Sequence, residues 1–180
     1  MPPESIFDLI ANYDSSRTII YLGHGTADEI NVNTGIDSVI GIEDAKQIFK
    51  RKKIILLSCF SSEFINSLNN EFDVAIGFGN ILSSRAELSY KDYTKYNHDD
   101  FKCIDTFKTR LVKLFKTSII EAYSMNYTFL KLYNSLKLRV NKIISQCSLS
   151  KDKTEQLVGD LMFDLKKEMT FWGNSTLLLS

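Results

Sequence analysis

The sequence predicts an α/β domain with a largely parallel sheet flanked by helices and a helical C-terminal half. Two observations predict it. Three short, uninterrupted apolar runs, TIIYL at Thr18–Leu22, IILL at Ile54–Leu57 and VAIGF at Val74–Phe78, match strands buried on both faces. Helix-length segments separate the last two, and strand–helix alternation builds parallel sheets. From Ile104 to Ile144, by contrast, apolar residues recur at helical spacing.

The elements follow in order. Glu4–Tyr13 reads as a short amphipathic helix with Ile6, Leu9 and Ile10 on one face, broken by Asp14-Ser15-Ser16. The first strand ends at Gly23-His24-Gly25. Ile30–Val32 and Val39–Ile42 flank Asn33-Thr34-Gly35 and predict a small hairpin. Glu43–Lys50 carries acids at its start and bases at its end, which suits a helix dipole. The second strand ends at Ser58-Cys59, and Ser62–Leu68 reads as a short helix. The third strand leaves through Gly77 and Gly79. Residues 83–101 are polar and read as an exposed loop. Phe107, Leu111, Leu114 and Phe115 make one helical stripe; Met125, Phe129, Leu132, Tyr133, Leu136, Val140 and Ile143 make another, and both read as core faces. Thr154–Thr170 is a further helix, and Ser175–Leu179 (STLLL) reads as the closing strand.

The chain has 180 residues, enough for one domain over 1–180 with a sizeable core. Its 22 basic and 22 acidic residues give no net charge, which offers no support for a nucleic-acid or anionic-membrane partner. Cys59, Cys103 and Cys147 are an odd number without metal-site spacing, so neither a disulfide framework nor a metal is expected. The count fits a reducing cytoplasm. Met1–Ile10 shows no signal-peptide pattern, and no apolar run approaches a membrane span. His98, with Asp99 and Asp100, reads as a solvated loop rather than a metal site. Lys113, Lys116, Lys131, Lys137, Lys142 and Arg139 read as a solvated helical face.

The chemistry is expected at His24 and Cys59, each directly after an apolar strand. Adjacent parallel strands end on one edge, where open α/β folds place reactive groups. A thiol beside an imidazole suits nucleophilic catalysis: His24 takes the thiol proton and later protonates the leaving group. The helix after Cys59 would add its dipole near the sulfur. The backbone N–H groups of Gly25 and Cys59 are candidates for an oxyanion hole. Taken singly, His24 and Cys59 are each more often structural than reactive; their matched placement carries the reading.

At these residues the sequence resembles the clan of caspase-like cysteine peptidases, closest to CHAT and gingipain-type catalytic domains. The resemblance runs through YLGHGTADEINV, GIEDAKQIF and KKIILLSCFSS, then VAIGFGNILSS, KTSIIEAY and FWGNSTLLL, covering most of the chain in order. It implies an endopeptidase with His24 as general base or acid, Cys59 as nucleophile and Gly25 at the oxyanion position. It also implies a substrate pocket after the third strand, where Gly77 and Gly79 lie; Asp28, Glu63 and Glu87 are acids in reach of such a pocket, although acids on loops are usually just solvated. No cofactor is implied, and the partner is a protein or peptide substrate in a regulated or defence setting. Two departures stand out. Only one short helix precedes the histidine strand, so the family's usual first strand or strands are missing, and a partner subunit is expected to complete or regulate the domain. The aspartate that some basic-specific relatives carry two residues before the cysteine is Leu57 here. A catalytically inactive module that binds partners through the exposed sheet edge is the rival expectation, and a thiol enzyme acting on small acyl donors is another.

Overall fold

The computed structural model describes residues 18–31, 39–82 and 102–179. The expected helix at Glu4–Tyr13, the hairpin turn and the polar loop with His98 lie outside them.

The apolar runs pair as one four-stranded sheet. Strand β1 (Thr18–Leu22) lies parallel to β5 (Lys53–Leu57), which lies parallel to β6 (Val74–Gly77), and β6 pairs antiparallel with β7 (Thr170–Gly173). Three short strands, β2 (His24–Gly25), β3 (Glu29–Asn31) and β4 (Val39–Gly41), form a separate antiparallel sheet. The expected hairpin is therefore present as the β3–β4 pair, and His24 itself belongs to its third strand.

Side chains alternate across a strand, and that alternation gives the sheet two cores. Ile55, Val74 and Ile76 face α3 (Lys102–Ser124), α4 (Phe129–Ser148) and α5 (Lys153–Glu168). Ile54, Leu56 and Ala75 face α1 (Ile42–Ile48), α2 (Ser61–Ser67) and the small sheet. Phe171 and Trp172 divide in the same way, one to each core. The result is a three-layer arrangement with the long helices on one face and the short ones on the other.

Three expectations need correction. The run at β1 is not buried on both faces. Among the described residues it is an edge strand: Ile19 and Tyr21 pack on the α1–α2 side, whereas Ile20 and Leu22 are 38% and 62% exposed. The closing strand is Thr170–Gly173, not Ser175–Leu179. Gly173 takes φ +88 with the Asp73 carbonyl and Val74 Cα beside it, a position a side chain could not share, and the sheet ends there. The tail then turns at Asn174, whose side chain accepts from the Thr176 N–H at 3.0 Å. It reaches α4 through a single bridge between Thr128 and Leu178. Finally, Met125 is no part of the second stripe. It is 64% exposed, next to Asn126, whose φ of 49 breaks the chain between α3 and α4. Thr128 then caps α4, its hydroxyl accepting from the Lys131 N–H at 3.2 Å.

No helix among the described residues is long and apolar enough to cross a membrane.

Candidate active site

The β1–β5 register decides where the expected dyad falls. Leu22 is paired with Leu57 in parallel, and the Gly23 N–H donates to the Leu57 carbonyl at 3.3 Å just beyond. His24 and Cys59 are each two residues past that pair, so they leave neighbouring strands at the same C-terminal rim. A Cβ placed on Gly25 would stand 3.2 Å from Ser58 Oγ, so the His24-Gly25 segment lies against the residue that precedes Cys59.

Tyr21 fastens the histidine segment. Its ring folds back over Gly23, where an added Cβ would meet the phenol oxygen at 2.4 Å. Its hydroxyl reaches two carbonyls, that of His24 at 2.8 Å and that of Asn31, which are register partners across β2 and β3. Burial pushes the phenol above its ordinary value. Tyr21 thus keeps its proton and ties the small sheet to the end of β1. His24 itself is exposed.

On the other side, the chain turns sharply after β5. Phe60 adopts left-handed backbone angles, φ 55 and ψ 17, which for a non-glycine residue costs on the order of 1–3 kcal/mol. Its N–H donates to the Gly79 carbonyl at 2.9 Å, and its own carbonyl accepts the first bonds of α2. Ser61 pins the turn from beneath: its buried hydroxyl donates to the Leu56 carbonyl at 2.6 Å and accepts from the Phe78 N–H at 2.9 Å. Cys59 is half-buried between these fixed points, and its thiol donates to the Ile81 carbonyl at 3.0 Å. The loop after β6 therefore both supports the turn and engages the sulfur.

The other predicted residues are placed as follows. Gly77 is buried, and an added Cβ would stand 3.0 Å from the Ser61 carbonyl and 2.8 Å from Ile65 Cδ1. Its bare backbone lets α2 approach β6. Gly79 is buried against Glu168, whose carboxylate accepts from the neighbouring Asn80 N–H at 2.8 Å. Asp28 and Glu63 are exposed, Asp28 in the β2–β3 turn and Glu63 in the first turn of α2, and neither makes an ion pair among the described residues.

Sequence reasoning missed Tyr21, Ser58, Phe60, Ile81 and Glu168. Ser58 Oγ is buried and has no hydrogen-bond partner among the described residues, although it stands beside Gly25. Only the density of small polar residues in SCFSS hinted at a specialised turn; nothing marked Tyr21 or Glu168. The other two thiols are remote from this chemistry: Cys103 and Cys147 are fully buried in the helical core, and burial pushes the Cys147 thiol up. No group of three or more His, Cys, Asp or Glu among the described residues is arranged to hold a metal ion.

No family model, curated protein or solved structure matches the chain.

Proposed function

We propose that the chain is a cytoplasmic caspase-like cysteine endopeptidase, nearest in kind to CHAT and gingipain-type domains, that cleaves protein substrates through an acyl-enzyme on Cys59. The observation that carries the reading is the shared rim: the β1–β5 register puts His24 and Cys59 the same distance past paired strand ends. In this reading His24 accepts the thiol proton, Cys59 Sγ attacks the scissile carbonyl, and His24 returns the proton to the departing amine. Water then hydrolyses the thioester. Gly25 and Cys59 backbone N–H groups stabilise the oxyanion. Asp28 and Glu63 are the exposed acids nearest in sequence to the dyad, and a basic side chain on the substrate is what they would attract. The fixed turn at Phe60 and the Tyr21 clamp supply the preorganisation such a site needs.

The test uses an electrophilic peptide probe on the intact protein. The expected result is rapid labelling of one thiol, Cys59, with loss of both labelling and cleavage in Cys59→Ala. His24→Ala should slow labelling by about 100-fold or more, the scale of a general base. Labelling that proceeds at the same rate without His24 would remove the dyad.

One observation favours a second reading, a partner-binding module without catalysis. The Cys59 thiol is engaged by the Ile81 carbonyl, and β1 presents Ile20 and Leu22 at the sheet edge. Strand edges of this kind accept a further strand. That reading predicts slow Cys59 labelling that does not depend on His24, together with a stable complex that Ile20→Lys disrupts.

A further inference from the structure

We infer that the cleft between α3 and α4 is a binding site for a small organic ligand carrying two or more phosphate groups. The cleft encloses about 440 Å³, within the range of small-molecule sites. Four cations line it, Arg110 and Lys113 from α3 and Arg139 and Lys142 from α4, above an apolar floor of Leu114 and Ile143. The chain as a whole has no net charge, so this gathering of one sign is local.

The two arginines are held in place. Arg110 donates to Glu155 at 2.8 Å and to Cys147 Sγ at 3.2 Å, and Arg139 is paired with Glu121. Planar guanidinium groups fixed in this way match phosphate oxygens in two-pronged fashion. Lys113 and Lys142 are exposed, and their side chains make no ion pair or hydrogen bond among the described residues. Once the arginines' carboxylates are set against them, the two lysines remain as uncompensated charge among the described residues. A second cleft of about 960 Å³ shares Arg139 and Lys142 and extends along α4 to Lys131, leaving room for the rest of a ligand. A concave site with an apolar floor favours a compact organic phosphate over a nucleic-acid strand, which needs an extended basic track with aromatic platforms. The site is independent of the His24–Cys59 reading.

The test is calorimetric titration of the full chain with inorganic tripolyphosphate and with adenosine triphosphate, at constant ionic strength set by sodium chloride. The variant is Lys113→Gln with Lys142→Gln, two exposed positions whose replacement leaves the fold's own contacts intact. The expected result is one ligand per chain and binding about tenfold or more weaker in the double variant, the loss of two charge-assisted contacts. Tighter binding of the nucleotide than of tripolyphosphate assigns a role to the apolar floor and supports the inference; nucleotide binding no tighter than that of tripolyphosphate overturns the organic part of it. Binding that is absent in the wild-type chain, or unchanged in the double variant, overturns the inference. So does a single-stranded RNA that binds more tightly than either small ligand and loses as much in the variant.

Discussion

A single hydroxyl, that of Tyr21, sets the position of the His24 backbone, and its chemistry makes the claim measurable. Tyr21→Phe removes the donor shared by the His24 and Asn31 carbonyls while keeping the ring over Gly23. The expected loss is about 1 kcal/mol of unfolding free energy, the net value of an ordinary hydrogen bond. The pH dependence has a definite sign. The folded phenol holds its proton more tightly than the unfolded one, chiefly because it is buried. The unfolded chain therefore releases that proton first as pH rises through about 10. From there the Tyr21 contribution declines, and it is lost as pH passes the raised folded value. Urea unfolding of both proteins should show the gap between wild type and Tyr21→Phe at full size near neutral pH and narrowing above the ordinary tyrosine range. A gap that stays constant through that range would show that folding does not tighten the hold of the Tyr21 hydroxyl on its proton.

At the scale of elements, the turn between β5 and α2 depends on Ser61. Its hydroxyl joins the Leu56 carbonyl to the Phe78 N–H, linking two parallel strand ends at the rim where Cys59 sits. Ser61→Ala leaves both buried backbone groups unpaired, and each such group costs about 1–3 kcal/mol. A destabilisation of about 2–6 kcal/mol is expected in urea, with faster modification of Cys59 as the turn loosens. Ser61→Thr, which keeps the hydroxyl, should recover part of the stability if its methyl group is accommodated. Most elements were legible because their signals are local. The runs at β5 and β6 are as apolar as buried central strands require, and the stripes of α3 and α4 follow their helical period. What was not legible depends on partners far along the chain. An apolar run does not reveal whether it has one neighbour or two, so β1 read as buried. The leucines at 177–179 read as a strand, yet Leu179 is buried against the helical core while Thr170–Gly173 takes the place beside β6. The aromatic pair Phe171-Trp172 is the sign the sequence offers for that strand. In the site, the two strand-end residues were visible as motifs, but Tyr21, Phe60 and Ile81 act through backbone groups, which leave no mark on composition.

Across the whole molecule, the helical half and the sheet are tied into one cooperative unit by the last dozen residues. Strand β7 returns from α5 to pair with β6, so the sheet's second edge is supplied from the end of the helical block. The Met169 carbonyl accepts from Tyr133 Oη at 3.0 Å, and Phe171 packs against the Tyr133 ring with centroids 5.6 Å apart. Beyond the turn, the Leu177 carbonyl accepts the Phe129 N–H at 2.9 Å and the Leu179 N–H donates to the Tyr127 carbonyl at 3.0 Å, fixing the start of α4. The same tail reaches across the sheet to the starts of β5 and β1, where Lys53 Nζ donates to the Leu178 carbonyl at 3.0 Å and Thr18 donates to that of Leu179. Removing residues 169–180 therefore strips β6 of a partner, uncovers both cores and releases α4 together. The expected product retains helical far-ultraviolet signal but loses near-ultraviolet signal, binds a hydrophobic dye and unfolds without a sharp transition, the behaviour of a collapsed chain without fixed packing. If the shortened chain instead melted cooperatively with the intact protein's denaturant slope, the sheet and helical layers would have to be separable bodies, and the rim that carries His24 and Cys59 would owe nothing to the C-terminal tail.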